Sequence, residues 1–392
     1  MTYQTKNNTF EHNGTIQGLY DLISEQGFEG MGSAIQVLMN EAMRIERSRF
    51  LGASPYERHP ERQDHANGFK PKTVKTRLGA LEFKIPQVRS GDFYPSAMEQ
   101  GMRSEQALRL SIAEMYLQGV STRNVRKITE ELCGVSISST EVSRLTQKLD
   151  VEFERWRCRN LGAYQYMIVD AIYEKVRRDG CVLSSSVLIA YGINKEGKRE
   201  VLGTSVSLSE AEIHWRTFFQ SLVSRGLHGL EMITSDAHTG LKAAMRAVFP
   251  SVPWQRCQFH LQQNASAYVT KKSNKAEVAS DIRDILNAQN EEEAKTRLSQ
   301  KMEKYKDRES KLVSWMENNV PESFTVFQVP KAHRVKLRTS NLAERVNKEI
   351  RRRTKVVGIF PNEESCLRLI TAILCETNDD WIQSNRYLPE DN

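Results

Sequence analysis

Three acidic residues stand in settings that make a carboxylate conspicuous. Asp170 interrupts an otherwise apolar stretch, Met167-Ile168-Val169-Asp170-Ala171-Ile172, where burying an unpaired charge costs several kcal/mol unless a cation or partner offsets it. Asp236 follows the apolar run from Leu230 to Ser235, at the carboxyl end of an expected strand, where α/β sheets place ligand-binding groups. Glu344 falls on an expected helix between Asn341 and Arg345. Converging carboxylates are hard oxygen ligands suited to Mg²⁺ or Mn²⁺. Two such ions can activate an attacking oxygen while stabilising the leaving one, which is the chemistry of nucleotidyl transfer. Taken singly, each acid has a plainer reading: Asp236 can cap a helix, and Glu344 can be a solvated acid among basic neighbours.

The charge distribution suggests what such a site would act on. The 392 residues carry a net charge of +7 with a pI near 9.0, which favours a polyanionic partner because Lys and Arg neutralise phosphates and release counterions. The excess is concentrated: between Arg338 and Lys355 seven basic residues face two acids. Arg345, Lys348, Arg351 and Arg352 share or border the Glu344 face of one helix and can hold substrate phosphates, a solvated basic face being the plainer alternative. Cys257 and His260 follow Asp236. They supply two ligands where structural zinc needs four, which leaves a packed thiol with a bonded imidazole, or a supporting active-site contact by His260. His238 reads as a helix-start histidine, and Trp215 with Phe218, Phe219 and Leu222 as core at helical spacing.

Stepping along the chain gives the elements that would position these groups. Residues 1 to about 50 have helical periodicity, and Val74 to Pro86 alternates around Gly79 like a short hairpin. Three helical patterns follow: Ser104 to Gln118, a second capped by Ser121 and ending near Gly134, and a third capped by Ser138 or Ser139 and running over Thr140 to Leu149. They form either a three-helix bundle or a helix-turn-helix unit whose last helix would present Arg144, Gln147 and Lys148 to the DNA major groove. Strands are expected over Tyr164–Ile172, Val182–Tyr191 and Glu200–Val206, with Asp179-Gly180 as a hairpin turn. A capping box of Ser209 with Glu212 opens a helix ending near Gly226. A strand at Leu230–Ser235, a helix at Thr239–Val248 and a short strand at Trp254–Phe259 complete the order of a ribonuclease H-like fold. Beyond His260 the pattern is almost continuously helical to about Asn318, before a helix at Asn341–Arg353 and a closing helix at Glu363–Thr377.

The expected architecture is therefore α/β. A ribonuclease H-like catalytic core (160–262 and 335–380) carries an all-helical insertion (263–334). It is preceded by a helix-turn-helix domain (104–150) and an N-terminal helical and small basic β-containing region (1–103). The longest apolar runs fall short of the roughly 20 residues that cross a bilayer, and the polar N-terminus lacks a secretory pattern, so a cytoplasmic protein without membrane contact is expected. Six scattered cysteines read as reduced thiols. No Gly-rich phosphate loop suggests a nucleotide or organic cofactor.

Four stretches sharpen the reading: Val169-Asp170-Ala171-Ile172-Tyr173-Glu174-Lys175-Val176-Arg177; Ser235-Asp236-Ala237-His238-Thr239-Gly240-Leu241; Trp254-Gln255-Arg256-Cys257-Gln258-Phe259-His260; and Asn341-Leu342-Ala343-Glu344-Arg345-Val346-Asn347-Lys348 with its basic continuation. Together with Asn67-Gly68-Phe69-Lys70-Pro71-Lys72 and the run from Met115 to Arg123, they resemble the signatures of IS256-family, Mutator-like transposases from about residue 50 onward. The resemblance implies that Asp170, Asp236 and Glu344 are a DDE triad. It also implies that the 108 residues from 236 to 344 hold the family's helical insertion, and that Cys257 and His260 are its C/D(2)H pair. It further implies recognition of terminal inverted repeats, double-stranded target DNA, and work as a homodimer or higher oligomer. A ribonuclease H-like nuclease without strand transfer and a transposase-derived DNA-binding regulator are the alternatives.

Overall fold

The computed structural model describes residues 17–390 apart from positions 58, 61 and 99; the expected helicity of residues 1–16 lies outside them. The chain divides into two compact units, Met1–Thr146 and Gln147–Asn392. Both are mixtures of helix and strand.

In the first unit, residues 17–26 are helical, and α1 (Met31–Leu51) lies on a two-stranded antiparallel sheet of β1 (Ala66–Thr76) and β2 (Gly79–Val88). Met43, Val74, Leu81, Phe83 and Ile85 form the shared core. The hairpin is longer than its sequence pattern, because pairing continues from Val74↔Leu81 out to Ala66↔Val88. Helices α2 (Gln106–Leu117), α3 (Thr122–Cys133) and α4 (Ser139–Gln147) follow. The Ser121 hydroxyl accepts from the Asn124 amide and the Ser138 hydroxyl from the Glu141 amide, so both serines cap helices. Gly134 ends α3 at φ 62°, a left-handed conformation suited to glycine. Leu108, Ile112, Val125, Ile137 and Val142 close the core between them.

The second unit starts with α5 (Asp150–Arg157) and is built on a five-stranded mixed sheet. Strands β3 (Tyr166–Arg178), β4 (Cys181–Ile193) and β5 (Arg199–Ser207) form an antiparallel meander. Asp179 and Gly180, both at positive φ (48° and 80°), make the β3–β4 turn. After α6 (Glu212–Ser224), β6 (Met232–Ser235) joins parallel to β3; after α7 (Thr239–Val248), β7 (Trp254–Arg256) joins parallel to β6. The sheet order is β5-β4-β3-β6-β7. The expected capping box does not form: α6 begins at Glu212 behind Ala211, and the Ser209 hydroxyl instead accepts from the Ala211 amide. The last strand also stops at Arg256, and Gln258 to Ala265 is helix α8.

The long helical stretch is broken into separate helices, α9 (Lys275–Leu286), α10 (Glu291–Tyr305) and α11 (Ser310–Asn319). They have a core of their own with α8, including Leu261, Ile282, Leu298, Tyr305 and Trp315. Helices α12 (Lys331–Leu337), α13 (Asn341–Val357) and α14 (Glu363–Gln383) complete the unit. Alternation along β3 assigns its two faces. Met167 and Val169 pack with Trp215 and Phe219 of α6, while Asp170 and Glu174 reach Asn347 and Thr354 of α13. Trp215 is fully buried, a core residue as its spacing indicates.

Candidate active site

Asp170 sits midway along β3 on the face that meets α13. Its Oδ1 accepts from the Ala171 amide at 2.9 Å and its Oδ2 from the Asn347 side-chain amide at 2.7 Å. Burial raises its pKa to about 6 against the lowering effects of the Ala171 amide, His260 and Asn347. The parallel register Ile168↔Thr234 carries Asp236, two residues past Thr234, to the level of Asp170. Asp236 stands beyond the end of β6, half exposed, with Oδ1 accepting from the Ala237 amide at 2.7 Å. It caps no helix, since α7 starts behind His238 without a side-chain cap. Glu344 lies in the first turn of α13, and its Oε1 is buried without a hydrogen-bond partner.

His260, on α8, stands between the second and third acids. Its Nδ1 is 4.0 Å from Asp236 Oδ1 and its Nε2 is 3.9 Å from Glu344 Oε1. The adjacent Cys257 sulfur, more than the carboxylates of Asp236 and Asp170, raises the imidazole to about 9 against a lowering by burial. Cys257 is fully buried and accepts from both the amide and the hydroxyl of Ser340, each at 3.3 Å. Ser340 is the N-cap of α13, and its carbonyl accepts from the Glu344 amide. Cys257 thus ties the start of the Glu344 helix to the end of the sheet. Ser340 and Asn347 were not singled out by sequence reasoning. The usable signal for Asn347 was its i+3 spacing from Glu344, which places both on adjoining parts of one helical face.

Among the described residues no three of the His, Cys, Asp and Glu side chains stand close enough to grip a metal ion. The donor set nevertheless suits a hard divalent cation. Glu344 Oε1 is orphaned, Asp170 is pushed toward protonation by burial, and His260 occupies the space between carboxylates. A cation would relieve both acids.

The basic residues of α13 separate into groups. Lys348 and Arg351 are exposed. Arg352 is held by the Glu349 carboxylate through two hydrogen bonds of 2.8 and 2.7 Å. Arg345 lines a pocket with Arg199 and Lys336 rather than the carboxylate cluster. Arg144 and Gln147 are exposed near the end of α4, and Lys148 lies just past it. His238 is near Glu210, 3.8 Å away. All six cysteines are free thiols. No helix among the described residues is long and apolar enough to cross a membrane.

Comparison with known proteins gives one consistent result. Residues 11–384 match the family described as "Transposase, Mutator family". The transposase for insertion sequence element IS406 of Burkholderia multivorans is 53% identical over 95% of this chain and 97% of its own length. The corresponding protein of element ISRM5 from Rhizobium meliloti is 41% identical over 93% and 92%. That of IS256 in transposon Tn4001 of Staphylococcus aureus is 40% identical over 90% and 91%.

Proposed function

Because this chain belongs to the Mutator family of transposases, we propose that it cuts and rejoins DNA ends with Asp170, Asp236 and Glu344 as its catalytic carboxylates. The observation carrying this reading is the arrangement on one side of the sheet: Asp170 held by Asn347, and His260 about 4 Å from both Asp236 and Glu344. The sheet order, three antiparallel strands followed by two parallel ones with helices on both faces, fits a ribonuclease H-like core.

The three acids would hold Mg²⁺ or Mn²⁺, which when bound activates the attacking oxygen and stabilises the leaving one. Water attack on the phosphodiester at the element's end breaks the bond to the 3′ oxygen and frees a 3′-hydroxyl. That hydroxyl then attacks the phosphorus of a second phosphodiester, forming a new P–O bond and displacing that strand's 3′ oxygen as a free 3′-hydroxyl, which joins the strands. Asn347 fixes the Asp170 carboxylate, Cys257 anchors the helix that carries Glu344, and His260 sets the spacing between Asp236 and Glu344. Lys348 and Arg351 are exposed along α13 and would meet phosphates. Helix α4 and the residue after it would present Arg144, Gln147 and Lys148 to the terminal inverted repeats. Two ends must be handled together, which calls for a homodimer or larger assembly on double-stranded DNA.

The test is a Mg²⁺-dependent cleavage and joining assay on DNA carrying the element's own ends, with Asp170→Asn and Glu344→Gln beside the wild type. Loss of both steps in the variants with DNA binding retained is the expected result. Equal activity in all three proteins would overturn the assignment. Cutting without joined product would indicate a nuclease, and binding without chemistry a regulator.

A further inference from the structure

A pocket of about 420 Å³ opens between α12, α13, α14 and the start of β5, and three cations converge on it: Arg199, Lys336 and Arg345. Among the described residues none of the three has a hydrogen bond or ion pair to a carboxylate. The Arg199 guanidinium lies over Trp381 at 4.7 Å and Tyr387 at 5.0 Å from the ring centroids, and Lys336 lies 5.2 Å over Tyr387. Arg199 Nε is buried with no partner. The one acid in the lining, Glu349, already accepts from Arg352 and Arg353. Like charges are therefore gathered, with Arg199 partly dehydrated and both Arg199 and Lys336 stacked on aromatic rings, and no carboxylate among the described residues pairs with them. Such an arrangement is a preorganised anion site, and guanidinium forks match the paired oxygens of a phosphate.

Resting on the reading that this protein acts on DNA, we propose that this pocket binds a backbone phosphate of the DNA strand, distinct from the phosphate that is cut. Position supports the distinction. Arg199 pairs with Ile193, which pairs with Tyr166, and Asp170 lies four residues further along β3. At about 3.3 Å per residue Arg199 stands about 13 Å along the sheet from Asp170, while Arg345, one residue after Glu344 on α13, is turned about 100° from it around the helix. Base stacking is not what the pocket offers, because the rings of Trp381 and Tyr387 already carry the cations. The site would hold the flank of the cut in register, so that the scissile bond falls at the carboxylates.

The experiment measures binding of the full chain to a fluorescent duplex as a function of salt, for wild type, Arg199→Gln, Arg345→Gln and Lys336→Gln, with Arg283→Gln in the helical insertion as control. Each phosphate contact contributes about 0.9 to the slope of log K against log salt. The pocket variants are expected to lower the slope by about one and the control to leave it unchanged. Lys336 and Arg345 are exposed, so their variants report even if Arg199→Gln folds poorly. Unchanged slopes in Arg345→Gln and Lys336→Gln would overturn the proposal. So would inorganic phosphate that raises the melting temperature of wild type but not of Arg345→Gln while DNA slopes stay equal, since the pocket would then serve free phosphate. If wild type cuts and joins DNA yet the slopes match, this inference alone fails; if wild type binds no DNA, both readings fall.

Discussion

Asn347 carries no charge and titrates nowhere, yet it is the side chain that decides which way Asp170 faces. Its amide donates at 2.7 Å to one carboxylate oxygen while the Ala171 amide holds the other. Residues that orient a ligating carboxylate are typically worth 10–100-fold in metal affinity or activity. Asn347→Ala is accordingly expected to lower cleavage by that factor, with circular dichroism and DNA affinity unchanged; wild-type cleavage by the variant would show that Asp170 needs no such support. Asp170 and Asp236 stood out in the sequence because a carboxylate in an apolar strand, or at its carboxyl end, violates a local pattern, whereas Glu344, an acid on a basic helix, stood out only through the family resemblance. Asn347 was not, because its importance arises from meeting Asp170 across 177 residues of chain, and an amide on a polar helix violates nothing. The same holds for Cys257, whose thiol pattern left two readings open until Ser340 was found against it.

At the scale of elements, what could be read was what is local. Helix α7 runs over the expected Thr239–Val248, and the Asp179-Gly180 turn takes the two positive φ angles its residues suggest. What escaped was decided by neighbours. Ser209 bonds the Ala211 amide and leaves α6 uncapped, and Cys257 turns the chain out of β7 two residues after Gln255. The helical insertion holds itself together by similar non-local means. Asp281, buried at the joint of α9 and α10, accepts from Lys301, Lys304 and the Tyr305 hydroxyl. Burial would raise its pKa, but these donors prevail and hold it at about 2. A depressed carboxylate contributes stability above its unfolded value near 4 that is lost as pH falls through the folded value. Asp281→Asn should thus destabilise the protein by about 1–3 kcal/mol at neutral pH, with the deficit shrinking between about pH 4 and pH 2. Denaturant melts of both proteins across that window test it, and a deficit constant with pH would refute the ionic account. At the start of α7, Gly240→Ala would place a Cβ 2.4 Å from the Glu210 carbonyl oxygen and 2.8 Å from the Glu212 amide. Backbone cannot yield cheaply there, so a loss of about 1–3 kcal/mol is expected, read as a lower melting temperature.

For the molecule as a whole, the two compact units each carry their own cores, Met43 and Ile112 in one, Val169 and Trp215 in the other. A fragment spanning Gln147–Asn392 is expected to give a cooperative thermal transition by circular dichroism; a broad, non-cooperative melt would show that the second unit depends on the first. The order of the acids along the chain has a consequence for synthesis. Asp170 lies on and Asp236 just past strands that can pair early, whereas Glu344 lies 108 residues after Asp236, beyond an insertion with its own core. At about 5–20 residues per second on the ribosome, the third acid emerges some ~5–20 s after the second. With these three acids as the proposed catalytic set, a nascent chain would complete its sheet while still chemically mute and gain the means to cut DNA only when nearly whole.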